Sequence, residues 1–238
     1  MDWKQARIVV MGGSSGIGAA AARLFVQRGA EVLITGRDAK KLEGAKAEIG
    51  RVGTAVVDGT DAAAVRGFFG KLGAFDHLVL SLSGGEGMGP FRELDLTKLR
   101  GAFEAKFWAQ LTVAQAALPT LKANGSITFV TAASARAVLA GTSGLAAING
   151  SLEIMVPILA LELAPVRVNA VSPGVVDTPW WENMPEEQRK ALFAQFASTL
   201  PVRRVGAPED IADAIGFVVG NGFMTGSVVE CDGGARLV

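Results

Sequence analysis

Arg7-Ile8-Val9-Val10-Met11-Gly12-Gly13-Ser14-Ser15-Gly16-Ile17-Gly18 decides how the rest of the chain is read. Ile8 to Met11 is an unbroken apolar run, the pattern of a strand buried on both faces. Gly12, Gly16 and Gly18 follow at once, and a helical pattern then runs to Arg28. Strand, glycine turn and helix in this order suit a pyrophosphate for a physical reason. Glycine permits a tight turn and close backbone approach, and the helix N-terminus offers free N–H groups and a partial positive charge. A glycine-rich loop alone is weak evidence, and its place on the first strand–helix junction is what gives it weight.

The same alternation continues downstream. Apolar runs predict strands at Glu31–Thr35, Thr54–Val57, His77–Leu82, Ser126–Thr131, Arg167–Val171 and Ser227–Cys231. Helical patterns separate them at Ala39–Ile49, Ala62–Lys71, about Leu96–Leu121, about Gly144–Leu163 and Pro208–Val219. Thr60 or Asp61 is placed to cap the third helix, and Pro208-Glu209-Asp210 makes a good first turn. Such alternation predicts one parallel sheet with helices on both faces. No repeat or linker divides the 238 residues, so a single domain spanning 1–238 is expected.

Composition narrows the function. Lys plus Arg equals Asp plus Glu, at 23 each, which argues against a nucleic-acid partner. The N-terminus lacks the layout of a signal peptide. The most apolar stretch, Ile154–Ala164, is interrupted by Pro157 and Glu162 and reads as too short to span a bilayer. A cytoplasmic protein without membrane partners is expected. The one cysteine, Cys231, forms no internal disulfide and reads as a small strand hydrophobe. No metal-ligand cluster stands out. His77 lies at the wrong end of its strand for chemistry and reads as structural. The segment 178–201 breaks the strand–helix rhythm and carries Trp180, Trp181, Met184, Phe193 and Phe196. It follows the sixth strand at its carboxyl end, where open α/β sheets bind ligands, and reads as a substrate lid. The alternative is a surface helix whose aromatics pack into the core or an interface.

At this point the chain resembles the short-chain dehydrogenase/reductase family over nearly its whole length. The family's opening Thr-Gly-x-x-x-Gly-x-Gly is matched with Met11 in place of the threonine. Leu159-Ala160-Leu161-Glu162-Leu163-Ala164, Arg167-Val168-Asn169-Ala170-Val171-Ser172-Pro173-Gly174 and Asp232-Gly233-Gly234 match later landmarks. The resemblance implies a doubly wound Rossmann-type domain with a seven-stranded parallel sheet in the order 3-2-1-4-5-6-7. It also implies a cofactor site of Gly12, Ser14, Ser15, Gly16, Ile17, Gly18, Asp58 (adenine), Gly84, Pro173, Gly174, Val176 and Thr178 (nicotinamide carboxamide). Gly84 stands one position late, because the family's Asn-Asn-Ala-Gly is replaced by Leu80-Ser81-Leu82-Ser83. At the end of the second strand, Gly36 takes the place of the aspartate that binds ribose hydroxyls, and Arg37 follows. A guanidinium can grip a 2′-phosphate, so NADP(H) is expected over NAD(H). Ser15 is the counterweight, where NADP-using relatives often carry a second basic residue.

The chemical half departs from the family. The chain has no tyrosine. The positions of the family's catalytic tyrosine, lysine, serine and asparagine are Leu145, Asn149, Ala132 and Lys106. Lysine and asparagine have exchanged places, so Lys106 is expected to enter the pocket from the neighbouring helix. There it could donate a proton, hold an oxyanion or bind a carboxylate. The alternative sends it to solvent or an interface. Thr131 and Ser134 flank Ala132 and are candidates to reach a substrate carbonyl, or else they cap local backbone. Arg136 is a candidate for an acidic substrate or a solvated charge. Three functions remain open: an NADP(H)-dependent oxidoreductase with an atypical site, a non-catalytic NADP(H)-binding sensor or partner protein, and a non-redox isomerase or cyclase. The lid's tryptophans suggest an apolar or aromatic ligand. The resemblance implies a homodimer or homotetramer built on the two long helices.

Overall fold

Every apolar run read as a strand contributes to one sheet. The computed structural model describes residues 1–238, and its seven strands are all parallel. They are β1 (Arg7–Met11), β2 (Glu31–Gly36), β3 (Gly53–Val56), β4 (Phe75–Leu80), β5 (Leu121–Val130), β6 (Arg167–Pro173) and β7 (Val228–Cys231), in the order β3-β2-β1-β4-β5-β6-β7. The order reverses between β1 and β4, which opens a crevice at their carboxyl ends. The helices are α1 (Gly16–Gln27), α2 (Ala39–Ile49), α3 (Ala62–Leu72), α4 (Leu96–Phe103), α5 (Ala109–Ala117), α6 (Ser143–Glu162), α7 (Glu186–Thr199) and α8 (Pro208–Gly220).

Two apolar layers sandwich the sheet. On one side Ile8, Val10, Val32 and Ile34 pack under Phe25 of α1 and Ile215 of α8. On the other, Val9, Met11, Leu78 and Leu80 meet Phe69 of α3, Val113 of α5 and Leu152 of α6. Alternate residues of one strand therefore serve both layers, which is why the strands read as unbroken apolar runs. Asp61, not Thr60, caps α3 by accepting the N–H groups of Ala63 and Ala64 at 2.9 and 3.0 Å.

Two departures from the sequence reading bear on the site. The helix expected from 96 to 121 is interrupted by a π-helical turn at Glu104–Trp108, with Lys106 at its centre, and ends before β5 begins at Leu121. An extra residue in one turn re-aims the side chains that follow it. The apolar stretch read as short belongs to α6, which is 20 residues long. Length and composition alone would let α6 cross a membrane, with a mean hydropathy of 1.7 in its most apolar window. Leu152, Val156 and Ala160 pack on the sheet, and Asn149 and Glu153 share that buried side, which is the place of a core helix.

Candidate functional site

A continuous cavity of about 780 Å³ runs along the carboxyl ends of the strands. One end is built by the first junction. Gly12 has φ +81° and Gly16 φ +52°, left-handed values that favour glycine. A Cβ on Gly12 would lie 2.6 Å from the Ser81 carbonyl oxygen, so the loop lies pressed onto the chain after β4. Ser15, the N-cap of α1, makes no side-chain cap, so the first-turn N–H groups have no protein side chain to satisfy them. Gly12, Ser14, Ser15, Gly16 and Ile17 line the cavity there. Gly18 does not. Its task is contact inside the motif, since a Cβ there would stand 2.2 Å from the Gly12 oxygen. Close approach, open N–H donors and a helix dipole fit a pyrophosphate.

Arg37, Asp58, Gly84, Pro173, Gly174, Val176 and Thr178 line the same cavity. Asp58 Oδ1 accepts the Thr60 N–H at 2.9 Å and the Thr60 hydroxyl at 2.8 Å. The Thr60 backbone bond is the main cause holding the Asp58 carboxyl below its ordinary range, and the Arg37 charge adds to it. Gly36 abuts Ser14, whose Oγ would be 2.9 Å from a Cβ. Lys41 lines the cavity beside Arg37 and was not anticipated. Its signal lay in the spacing, four residues after Arg37 in the first turn of α2.

The segment expected as a lid forms one wall of the cavity. Its chain makes a short 3-10 turn at Pro179–Trp181 and then α7. Trp180, Trp181, Gln195, Phe196, Thr199 and Leu200 line the cavity. Trp181 is buried, stacks edge-on with Trp180 and Phe193, and donates Nε1–H to the Val176 carbonyl at 3.0 Å. Trp180 donates to the Gly84 carbonyl at 2.9 Å, joining this segment to the loop after β4. Met184 is not among the lining residues.

The four chemical-end candidates come together at the other end. Lys106, Thr131, Ser134 and Asn149 all line the cavity, with Ala132 and Leu145. Lys106 therefore points inward, not to solvent. Its Nζ donates to the Thr131 carbonyl at 3.1 Å and is in no ion pair. Loss of hydration lowers its pKa to about 8, against which a nearby Glu153 acts upward. Asn149 donates Nδ2–H to Ser134 Oγ at 3.1 Å and to the Leu145 carbonyl at 2.9 Å, and its buried Oδ1 has no partner. With one lone pair taken by Asn149, the Ser134 hydroxyl keeps its own proton to donate.

Thr131 corrects the sequence reading. It is 2% exposed, and its hydroxyl donates to Glu153 Oε1 at 2.8 Å, so it does not serve a substrate carbonyl. Arg136 is neither free nor aimed at substrate: it pairs with Glu153 at 2.9 Å and Glu230 at 2.6 Å. Glu153 escaped the sequence reading. Its signal was a carboxylate four residues beyond Asn149, on the buried face of a mostly apolar helix. His77 is buried, with Nδ1 2.8 Å from Ser126 Oγ, remote from the cavity. Cys231 is half-buried in β7, with its thiol 3.6 Å from the Asp210 carbonyl.

Comparison with known proteins agrees with this architecture. The Enoyl-(Acyl carrier protein) reductase family model matches residues 12–236. The cis-4-hydroxycyclohexanecarboxylate dehydrogenase of Sinomonas cyclohexanicum is 33% identical, over 97% of this chain and 96% of that protein. A small-chain dehydrogenase solved in complex with NADPH is 35% identical, with a TM-score of 0.86 over 98% of this chain and 99% of that one. A short-chain oxidoreductase of Pseudomonas aeruginosa PAO1, solved with NADPH and described as containing an atypical catalytic center, is 30% identical, with a TM-score of 0.89 over 98% and 97%. With its parallel sheet, its glycine turn and these matches across almost all of its length, the chain belongs to the short-chain dehydrogenase/reductase family of oxidoreductases.

Proposed function

We propose that this protein is an NADP(H)-dependent oxidoreductase in which Lys106 replaces the missing tyrosine as the group that handles the substrate's proton. The observation that carries this reading is one cavity with Arg37 and Lys41 at one end and an ion-pair-free lysine at the other. The two basic side chains fit the 2′-phosphate of NADP(H), and no carboxylate stands at Gly36 to repel it. Two NADPH-bound structural neighbours support the same choice.

When bound, the nicotinamide supplies or accepts a hydride. The protein's residues do the rest. Thr178 faces the glycine turn, 3.4 Å from where a Gly16 Cβ would lie, which supports a role in holding a carboxamide. Lys106 and Ser134 offer the substrate oxygen two donors. A pKa of about 8 leaves Lys106 mostly an ammonium at neutral pH, yet ready to part with its proton. That proton moves from Nζ to the substrate oxygen in reduction, and water restores it. Met88, Val138, Leu139, Leu145, Trp180 and Phe196 give the substrate end an apolar lining, which fits an apolar or aromatic carbonyl or alcohol.

Leu145 and Ala132 in the cavity favour a second reading, a non-catalytic NADP(H)-binding sensor or partner protein. The readings part on one experiment. NADPH is titrated by its fluorescence, and aldehydes and ketones are screened for loss of the nicotinamide absorbance. The oxidoreductase reading expects turnover that drops about 10²–10⁴-fold in Lys106→Met, with NADPH affinity kept within about threefold. Binding without turnover across the screen gives the sensor reading, and absence of binding removes both. A homodimer or homotetramer belongs to this proposal. Trp108 beside α5 and Ile154, Ile158 and Leu161 on the outer face of α6 are more than half exposed and suit a second copy of the chain.

A further inference from the structure

Behind the chemical end lies a chain of alternating charges that the reading of the cavity does not use. Glu153 is 6% exposed. Its Oε1 accepts the hydroxyls of Thr131 and Ser172, each at 2.8 Å, and its Oε2 accepts Arg136 Nε at 2.9 Å. Arg136 reaches on to Glu230 of β7, and Glu230 is held by Arg236 in the C-terminal turn. Thr131 belongs to both sides of this arrangement. Its hydroxyl binds Glu153, and its carbonyl holds Lys106 Nζ.

We propose that Glu153 is a positioning residue for Lys106: a buried carboxylate that fixes Thr131 as the lysine's anchor and supplies the negative charge that keeps the ammonium charged. It rests on the reading of Lys106 as the proton-handling group. A buried carboxylate in a helix face of apolar residues is costly unless it is paired and hydrogen-bonded. Here three donors hold it, and none comes from a substrate position. Two of the three donors are hydroxyls on Oε1, the oxygen that Arg136 Nε does not take. These turn Oε1 toward Thr131, whose own carbonyl meets the lysine.

The surrounding charges make the direction of the effect definite. Glu153 comes from α6, Arg136 from the segment after β5, Glu230 from β7 and Arg236 from the C-terminal turn. The other charged side chains lining the cavity are Glu86 and Glu182 toward the lid and Arg37, Lys41 and Asp58 at the adenosine end. Glu104, on the lysine's own π-helical turn, is exposed to solvent, where its charge is screened. Burial works against the charged form of Lys106, and Glu153 works for it.

Competitive acetylation of the folded protein across a pH series, read by peptide mass spectrometry, follows the Lys106 amine without any need for turnover. The wild-type midpoint is expected near 8. Glu153→Gln keeps an oxygen for Thr131 and Ser172 but loses the charge. It should lower the midpoint by at least about half a unit, giving a roughly threefold larger fraction of free amine at neutral pH. Arg136→Met removes the competing cation from an exposed position and should move the midpoint up. It also serves if Glu153→Gln does not fold. A downward shift in folded Glu153→Gln supports the proposal, and an unchanged midpoint in that variant overturns it. Where Glu153→Gln does not fold, an upward shift in Arg136→Met supports the proposal and an unchanged midpoint there overturns it. If the shifts occur but Lys106→Met still turns over substrate, the positioning holds and the proposed role of Lys106 in the reaction fails.

Discussion

Replacing Arg37 with alanine should separate NADPH from NADH. Arg37 lines the cavity near Asp58, is solvent-exposed, and has no hydrogen bond or ion pair to another side chain. Its substitution therefore removes no support from the fold. A guanidinium and a phosphate form charge-assisted hydrogen bonds, worth about 1.5–3 kcal/mol where water is excluded. Exposure brings the net contribution down to about 1–2 kcal/mol. The dissociation constant for NADPH should then rise roughly 5–30-fold. That for NADH should stay within about twofold, since NADH has no 2′-phosphate to lose. Arg37→Lys should recover part of the loss as a point charge without the planar fork. Lys41→Ala on top of Arg37→Ala should weaken NADPH further. Fluorescence titrations of both dinucleotides, repeated at high salt, measure this directly. Equal losses for the two cofactors, or no loss for NADPH, would refute the assignment of this end to the 2′-phosphate.

Gly18→Ala places a Cβ where the Gly12 oxygen already stands, 2.2 Å away, so the turn and α1 must separate. A loss of about 1–3 kcal/mol in stability is expected by denaturant titration, with NADPH binding weakened as the turn shifts. His77 is buried beside Ser126, and burial lowers its pKa from 6.5 to about 4, with the Arg167 charge adding to the effect. Its folded-state pKa lies below its unfolded value, so its contribution to stability is whole above about pH 6.5 and is lost as pH falls toward about 4. His77→Gln should flatten that acid-side decline, by up to about 3 kcal/mol, in unfolding free energies measured from pH 7 to pH 4. An equally steep decline in the variant would show that other groups cause it.

The sheet and the cofactor end were legible because their signals are local. An apolar run such as Ile8–Met11 must be covered on both sides wherever it lies, and a glycine turn must fall between such a run and a helix. Strand pairing then follows from connection rules that hold across folds. The chemical end was legible only as an absence, in the lack of any tyrosine and in the lysine and asparagine having changed places. Which groups meet there depends on features with no local signature. The π-helical turn at Glu104–Trp108 sets the direction of Lys106 and cannot be told from an α-helix by periodicity. Glu153 looked like one more helix carboxylate. Its value lies in contacts from outside its own helix, through Thr131, Arg136 and Ser172, which stand 22, 17 and 19 positions away in the sequence. Thr131 and Ser134 were equal candidates by spacing, and packing divides them. One hydroxyl donates inward to a buried carboxylate, and the other lines the cavity, receives a hydrogen bond from Asn149 and still has its own proton to donate. What a strand end can donate to a ligand is fixed by what lies behind it, and that is tertiary information.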